Sequence, residues 1–168
     1  MSFIQSLRAE TAADHDAVDA RFGRFRLEDA GDYRRFLEAH GRALPAVEAA
    51  LAGGDLPPWR PRADLLAADL AGLGAAMPRP LVFTADDEAA RWGALYVIEG
   101  SRLGGQLLAR SVPSPWPSAY LGARHLPGEW RTLLAALDRR AGEADAIWRA
   151  AATASARATF ALYAQAAI

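Results

Sequence analysis

The sequence predicts an all-α fold, with roughly six to eight helices packed on one core. Apolar residues recur at intervals of three to four along most of the chain, which is the period of a helix with one buried side. No stretch of useful length alternates apolar and polar residues as a half-buried strand would. With 168 residues and 52% hydrophobic content, the chain can bury a full core, so we expect a single domain over residues 1–168.

The helical pattern divides the chain at its glycines, prolines and polar cap residues. Ser2 can cap the first helix, which carries His15 on its apolar side. Pro45 interrupts the second helical pattern, so a kink near Gly41 is expected. The predicted helices cover residues 3–22, 30–51, 63–73, 85–111, 118–122, 128–141 and 143–166.

The fourth predicted helix is unusual because glycine occupies several interior positions. Thr84 and Asp87 resemble a capping box that opens it. Each interior glycine costs roughly 0.5–1 kcal/mol relative to alanine, so some gain must offset the cost. The bare side of this helix consists of Gly100, Ser101, Gly104 and Gly105. Two interpretations are open: close packing against another helix, or a planar ligand lying against the exposed backbone.

The charged residues are nearly balanced, and every residue counted as basic is arginine. The chain has 19 basic and 20 acidic residues without a basic run, which disfavours a nucleic-acid partner. It has no cysteine, which excludes disulfides, thiolate metal sites and thiol nucleophiles. The early charges disfavour a secretory signal, and no apolar run reaches transmembrane length. We therefore expect a soluble cytoplasmic protein with no membrane partner.

The histidines are the candidate metal ligands. Asp19 follows His15 by one turn and could fix the tautomer of its imidazole, while Arg8 lies two turns earlier, about 10 Å away along the axis. An iron ligand and a carboxylate-binding cation at this separation would suit a haem and its propionates. The alternative is an ordinary hydrogen-bonded core histidine. His40 is interpreted as a partly exposed helix residue, and His125 as a structural residue of a connector.

Several catalytic classes are inconsistent with the sequence. No Glu is followed by His three residues later, which excludes a ferritin-like di-iron site. A Gly-rich phosphate loop ending in Lys cannot exist without lysine. Ser101 lacks the strand-turn-helix setting of a hydrolase nucleophile. A cofactor or reactive ligand would therefore have to supply demanding chemistry.

Two segments resemble a known family. Residues 7–15, LRAETAADH, resemble the start of the haem oxygenases, where a basic residue, a threonine and the iron-ligating histidine occur at this spacing. Residues 95–105, LYVIEGSRLGG, are similar to the distal helix of the small bacterial, biliverdin-producing members. The two motifs occur in the family's order, about 85 residues apart.

The resemblance implies a haem site between the first helix and the glycine-bearing helix. His15 would ligate the iron, with Asp19 as its acidic partner. Arg8 would pair with one haem propionate, and Arg157 on the last helix is the candidate partner for the second.

The resemblance also implies a role for the glycine-bearing helix. Gly100, Gly104 and Gly105 would let its backbone approach dioxygen. Ser101 stands where animal members have an aspartate that organises water, and bacterial relatives commonly have serine there. Which groups order the distal water is therefore left open.

The implied activity is oxidative cleavage of haem, which is both cofactor and substrate, by O2 and external electrons to biliverdin, carbon monoxide and ferrous iron. A ferredoxin, a flavoprotein reductase or ascorbate would supply the electrons, and a bilin-accepting photoreceptor is a candidate partner. The alternative is a domain of the same fold that binds haem, a bilin or a protein without turnover.

Overall fold

The structure is a computed structural model that describes residues 1–168 and contains seven α-helices and no β-strand. This confirms the all-α prediction and the expected number of helices. None of the helices combines the length and apolar character needed to cross a bilayer. The helices are α1 (Phe3–Phe22), α2 (Ala30–Leu51), α3 (Ala63–Gly72), α4 (Glu88–Ala109), α5 (Ala119–Gly122), α6 (Glu129–Glu143) and α7 (Ala146–Ala166).

Polar caps determine where the helices begin. At α1, the Ser2 hydroxyl accepts a hydrogen bond from the Gln5 amide, and the Gln5 side chain accepts one from the Ser2 amide, which completes a capping box. The prediction that Thr84 opens the fourth helix is wrong. Asp87 is its cap, because its carboxylate accepts a hydrogen bond from the Ala90 amide at 2.8 Å. A carboxylate is also favoured electrostatically at a helix N-terminus.

Helix α2 continues through Pro45, and the extended connector after α3 crosses it closely. A Cβ on Gly41 would lie 2.8 Å from Pro78 Cδ, so this glycine makes room for the connector. The Leu81 amide donates to the Arg42 carbonyl oxygen at 2.7 Å, which attaches the connector to the helix. The buried side of α2 is the predicted one, with Tyr33, Phe36, Leu37, Leu44 and Val47 at most 1% exposed.

Helix α7 is the support on which both α1 and α4 lie. Its contact with α4 is unusually close, because a Cβ on Gly93 would lie 2.0 Å from the Ala152 carbonyl oxygen. The Ser155 hydroxyl also donates to the Ala90 carbonyl oxygen at 2.6 Å. The small residues of α7 let α4 approach it, and a cavity separates α4 from α1. Close packing of α4 on α7 therefore explains Gly93, which lies outside the glycine-bearing side predicted at residues 100–105.

Substituting Gly93 by alanine should destabilise the protein, because no rearrangement of side chains can remove a clash with the backbone of α7. We expect Gly93→Ala to lower the free energy of unfolding by about 2 kcal/mol or more. Gly142→Ala is the matched control, since its Cβ would meet no atom within 4 Å. Chemical denaturation of both variants measures the difference. Equal stability of the two variants would contradict the close contact.

Candidate functional site

A cavity of about 460 Å³ lies between α1 and α4. Its volume is in the range typical of small-molecule and cofactor sites. Residues from α2, α5, α6 and α7 complete its walls, which are largely apolar and aromatic. The side chains with polar groups that line it include Arg8, His15, Asp19, His40, Arg62, Ser101, Tyr120 and Tyr163.

The α1 wall carries His15 beside an acidic partner. The His15 side chain is 58% exposed, and its ring packs edge-on against Phe160 of α7, with centroids 5.7 Å apart. Its Nδ1 lies 3.4 Å from Asp19 Oδ2 and 3.8 Å from Asp16 Oδ1. A carboxylate beside Nδ1 favours a proton on that nitrogen and leaves the Nε2 lone pair for a ligand. The α1 wall therefore presents an accessible imidazole with one ring nitrogen beside a carboxylate.

The two arginines proposed from the sequence have different positions. Arg8 is exposed on α1 and lines the cavity, where it can pair with an anionic group of a ligand. Arg157 does not line the cavity, because its Nε donates to Asp14 Oδ2 at 3.0 Å and so links α7 to α1. The structure thus brings Arg8, His15 and Asp19 to one wall and leaves Arg157 outside it.

The three glycines of the predicted stripe all line the cavity but face different neighbours. A Cβ on Gly104 would meet no atom within 4 Å, so backbone is open there. A Cβ on Gly100 would lie 3.3 Å from Trp130 Cη2, and one on Gly105 would lie 3.1 Å from the Leu121 carbonyl oxygen. The packing interpretation therefore applies to Gly100 and Gly105, and the backbone at Gly104 is left open.

Ser101 is held by Arg62, which no sequence pattern marks as a site residue. Its hydroxyl donates to the Ile98 carbonyl oxygen at 2.6 Å and accepts from Arg62 Nη2 at 2.9 Å. Arg62 Nη2 also donates to the same carbonyl oxygen at 2.6 Å. The Glu48 carboxylate accepts from the amides of Arg62 and Ala63 at 2.7 and 3.1 Å, which fixes the arginine at the start of α3. Arg62 follows a proline-rich segment without a recognisable motif, so only the fold reveals it.

His40 belongs to the cavity wall, which the sequence analysis did not anticipate. Its Nδ1 lies 2.6 Å from Tyr120 Oη, and its ring packs against Phe22 and Phe36. Burial, and to a lesser extent the charge of Arg62, lower the pKa of His40 to about 3. The imidazole is therefore neutral at physiological pH, with one nitrogen engaged by a phenol.

Tyr163 adds an unpaired hydroxyl to the same region. The residue is 5% exposed and lines the cavity, and its Oη has no hydrogen-bond partner in the protein. Burial raises the pKa of this phenol well above its ordinary value, so the hydroxyl keeps its proton. Because buried polar groups are nearly always satisfied, this hydroxyl is available to water or to a ligand in the cavity.

Comparison with known proteins identifies a sequence relative and a structural neighbour. No protein-family model matches the sequence. The chain is 38% identical over 149 residues to a protein of Xanthomonas campestris pv. campestris (strain 8004) named heme oxygenase, a match that covers 79% of this chain and 87% of the relative. Its fold is similar to that of the heme oxygenase of Neisseria meningitidis solved with NO and CO bound. That match has a TM-score of 0.84 at 24% identity and covers 99% of this chain and 90% of the other.

The neutral state of His40 makes a pH-dependent contribution to stability. In the unfolded chain this histidine titrates near its ordinary pKa of 6.5, whereas in the folded protein its pKa is about 3. As the pH falls below 6.5, His40 binds a proton in the unfolded state before it does so in the folded state. Its contribution to the free energy of unfolding is therefore fully present above pH 6.5 and is lost as the pH falls towards 3.

We therefore expect wild type to lose about 2 kcal/mol more unfolding free energy between pH 7 and pH 5 than His40→Phe does. Urea denaturation of the apoprotein at both pH values measures this difference. Both proteins retain His15 and His125, whose contributions cancel in the comparison. Parallel pH dependence in the two proteins would show that His40 is protonated equally easily in the folded state.

Proposed function

This chain belongs to the haem oxygenase family, and we propose that the cavity between α1 and α4 is where it holds haem for cleavage. Its function is the oxidative conversion of haem to biliverdin, carbon monoxide and ferrous iron with O2 and external electrons. One observation supports this location for the haem site. A single cavity has His15, beside Asp19, on its α1 wall and the open backbone of Gly104 on its α4 wall.

The residues of the cavity fit haem. Two helices separated by a mostly apolar gap suit a flat macrocycle, and Arg8 at the α1 wall suits a propionate. Haem would supply the iron at which O2 is activated as well as the macrocycle that is opened. The protein must therefore ligate the iron, exclude bulk water and supply hydrogen-bond donors that can order water in the cavity.

We propose that His15 Nε2 is the iron ligand. Asp19 lies close enough to the other ring nitrogen to keep the proton there and to orient the imidazole. Both side chains are largely exposed, so this contact is weak in water and strengthens when a ligand covers the cavity.

On the α4 side, we assign Ser101 to positioning rather than to hydrogen-bond donation toward O2. Its single proton is directed to the Ile98 carbonyl oxygen, and its oxygen accepts from Arg62. These bonds hold the turn of α4 that precedes Gly104. Gly104 has open space beside its backbone and allows the close approach of O2. Gly100 and Gly105 support this geometry by their packing.

We assign the ordering of distal water to His40 and Tyr163. When Tyr120 donates to His40 Nδ1, the proton of the neutral imidazole is on Nε2, which can then donate to water. The unpaired Tyr163 hydroxyl is a second donor in the same cavity. Neutral donors of this kind can hold water near the reacting atoms without acting as strong acids.

Membership of the family implies a reductase partner in addition to haem. We propose a ferredoxin, a flavoprotein reductase or ascorbate as the specific electron source, and a cytoplasmic location for the reaction. We also propose that residues 1–168 act as a single domain. Delivery of the bilin to a photoreceptor stays a prediction. No observation favours the non-catalytic alternative.

Replacing the proposed iron ligand should separate haem binding from turnover. We expect wild type to form a one-to-one complex with hemin, whose Soret band decays to a bilin spectrum when ascorbate or a reductase is added in air. His15→Ala should lose this turnover because it lacks the ligand nitrogen, and added imidazole should restore part of it. The absorption spectrum from the Soret band to the near infrared measures both.

A wild-type complex that survives reduction in air would contradict the oxygenase assignment of this site. Full turnover by His15→Ala without imidazole would instead refute His15 as the ligand. Thermal unfolding of His15→Ala provides the control, since an exposed side chain should contribute little to stability.

Arg8 should contribute to hemin affinity because it offers a charge at the cavity. We expect Arg8→Ala to raise the hemin Kd about 3- to 10-fold, the effect of one partly solvated charge-assisted contact. Arg157→Ala is the matched comparison, since Arg157 is occupied by Asp14 outside the cavity. Titrations followed at the Soret band measure both constants. A larger effect of Arg157→Ala than of Arg8→Ala would return Arg157 to the role predicted from the sequence.

A further inference from the structure

Three aromatic rings form a continuous stack at the α6 side of the cavity. Trp130, at the start of α6, lies between Tyr96 of α4 and His125 of the preceding connector. Its ring centroid is 5.9 Å from that of Tyr96 at an interplanar angle of 27°, and 5.4 Å from that of His125 at 20°. Tyr96 and Trp130 line the cavity, and His125 lies behind Trp130. The stack thus forms one wall of the site.

The indole of Trp130 is also fixed against the backbone of α4. Its Cη2 lies 3.3 Å from the position that a Cβ would take on Gly100. No side chain at residue 100 separates the indole from the helix, so the ring rests on the helix one turn before Gly104. A movement of Trp130 toward α4 is blocked by backbone, which cannot yield as a side chain would.

His125, the ring of the stack that does not line the cavity, lies beside a buried pair of charged side chains. The His125 side chain is 7% exposed, and its Nε2 lies 3.5 Å from Glu99 Oε2. Glu99 in turn accepts from Arg102 Nε at 3.0 and 3.1 Å, and both of these side chains are at most 3% exposed. Neither ring nitrogen of His125 has a hydrogen bond, so its position depends on stacking and on this charge pair. The expectation that His125 is structural agrees with this placement.

We propose that Trp130 sets the in-plane rotation of haem and thereby selects which meso carbon is cleaved. This inference rests on the proposed function. A macrocycle bound through His15 would be free to rotate about the bond to that ligand. Arg8 is exposed, so its flexible side chain would restrain this rotation only weakly. The α4 residues that line the cavity also include Leu103 and Leu108, which are aliphatic and 50% and 40% exposed. An indole that is stacked on Tyr96 and His125 and rests on the backbone at Gly100 is a rigid part of the wall, which would restrict this rotation.

The test replaces the indole and reads the haem orientation without turnover. The hyperfine-shifted haem-methyl proton signals of the ferric cyanide complex report the rotation of the ring relative to its axial ligand. We expect one dominant set of signals in wild type and a second, clearly populated set in Trp130→Leu. After turnover, the minor biliverdin isomers should increase at least several-fold in that variant, as measured by chromatography.

Trp116→Phe is the matched control. Trp116 is also half-buried and stacked, on Tyr33 with centroids 6.1 Å apart, but it does not line the cavity. This variant should keep the wild-type methyl signals and isomer composition. Trp130→Phe keeps an aromatic ring of smaller reach and should lie between wild type and Trp130→Leu. It carries the test if the leucine variant fails to fold.

Unchanged methyl signals and an unchanged isomer composition in a folded Trp130 variant would overturn the proposal and leave the haem oxygenase function intact. A change of the same size in Trp116→Phe would also overturn it, because the effect would then follow from general loosening. If wild type itself neither binds hemin nor produces biliverdin, the proposed function fails, and this inference fails with it.

Discussion

The close contact between α4 and α7 is the constraint on which the site depends. Because α1 and α4 both lie on α7 and are separated from each other by the cavity, the position of each helix on this support determines the width of the gap. Gly93 lets α4 come within reach of the α7 backbone at Ala152, and a larger residue would move the whole glycine-bearing wall. An alanine-rich helix thus acts as the common base for the two walls of a cavity that it only partly lines.

The α4 wall combines open backbone with polar groups whose hydrogen bonds are made to other residues of the protein. Arg62 binds the Ile98 carbonyl oxygen and Ser101, and Glu48 holds the amide of Arg62 in place. Hydrogen-bonding capacity on this side is therefore consumed by the protein, whereas the Tyr163 hydroxyl remains unpaired in the cavity. The division separates groups that shape the wall from groups that can meet water or a ligand.

Local sequence patterns were sufficient to predict the features that depend on residues within a single helix. The bounds of α1 and α2, the cap at Ser2 and the position of His15 with Asp19 all follow from spacing and side-chain type. Arg62 and His40 were missed because their roles depend on partners 36 to 80 residues away. Arg157 was expected at the site, but Asp14 of another helix holds it elsewhere.

The buried pair formed by Glu99 and Arg102 has a consequence for how the site can evolve. Loss of either partner leaves an uncompensated charge at a position that is at most 3% exposed, a change that typically costs about 3–5 kcal/mol. That cost is a large fraction of the unfolding free energy of a typical domain. Single exchanges at these two positions are therefore selected against, and the residues are expected to change together among descendants of this gene. The outer face of α4, where Leu107 is 65% exposed, is free to drift one residue at a time.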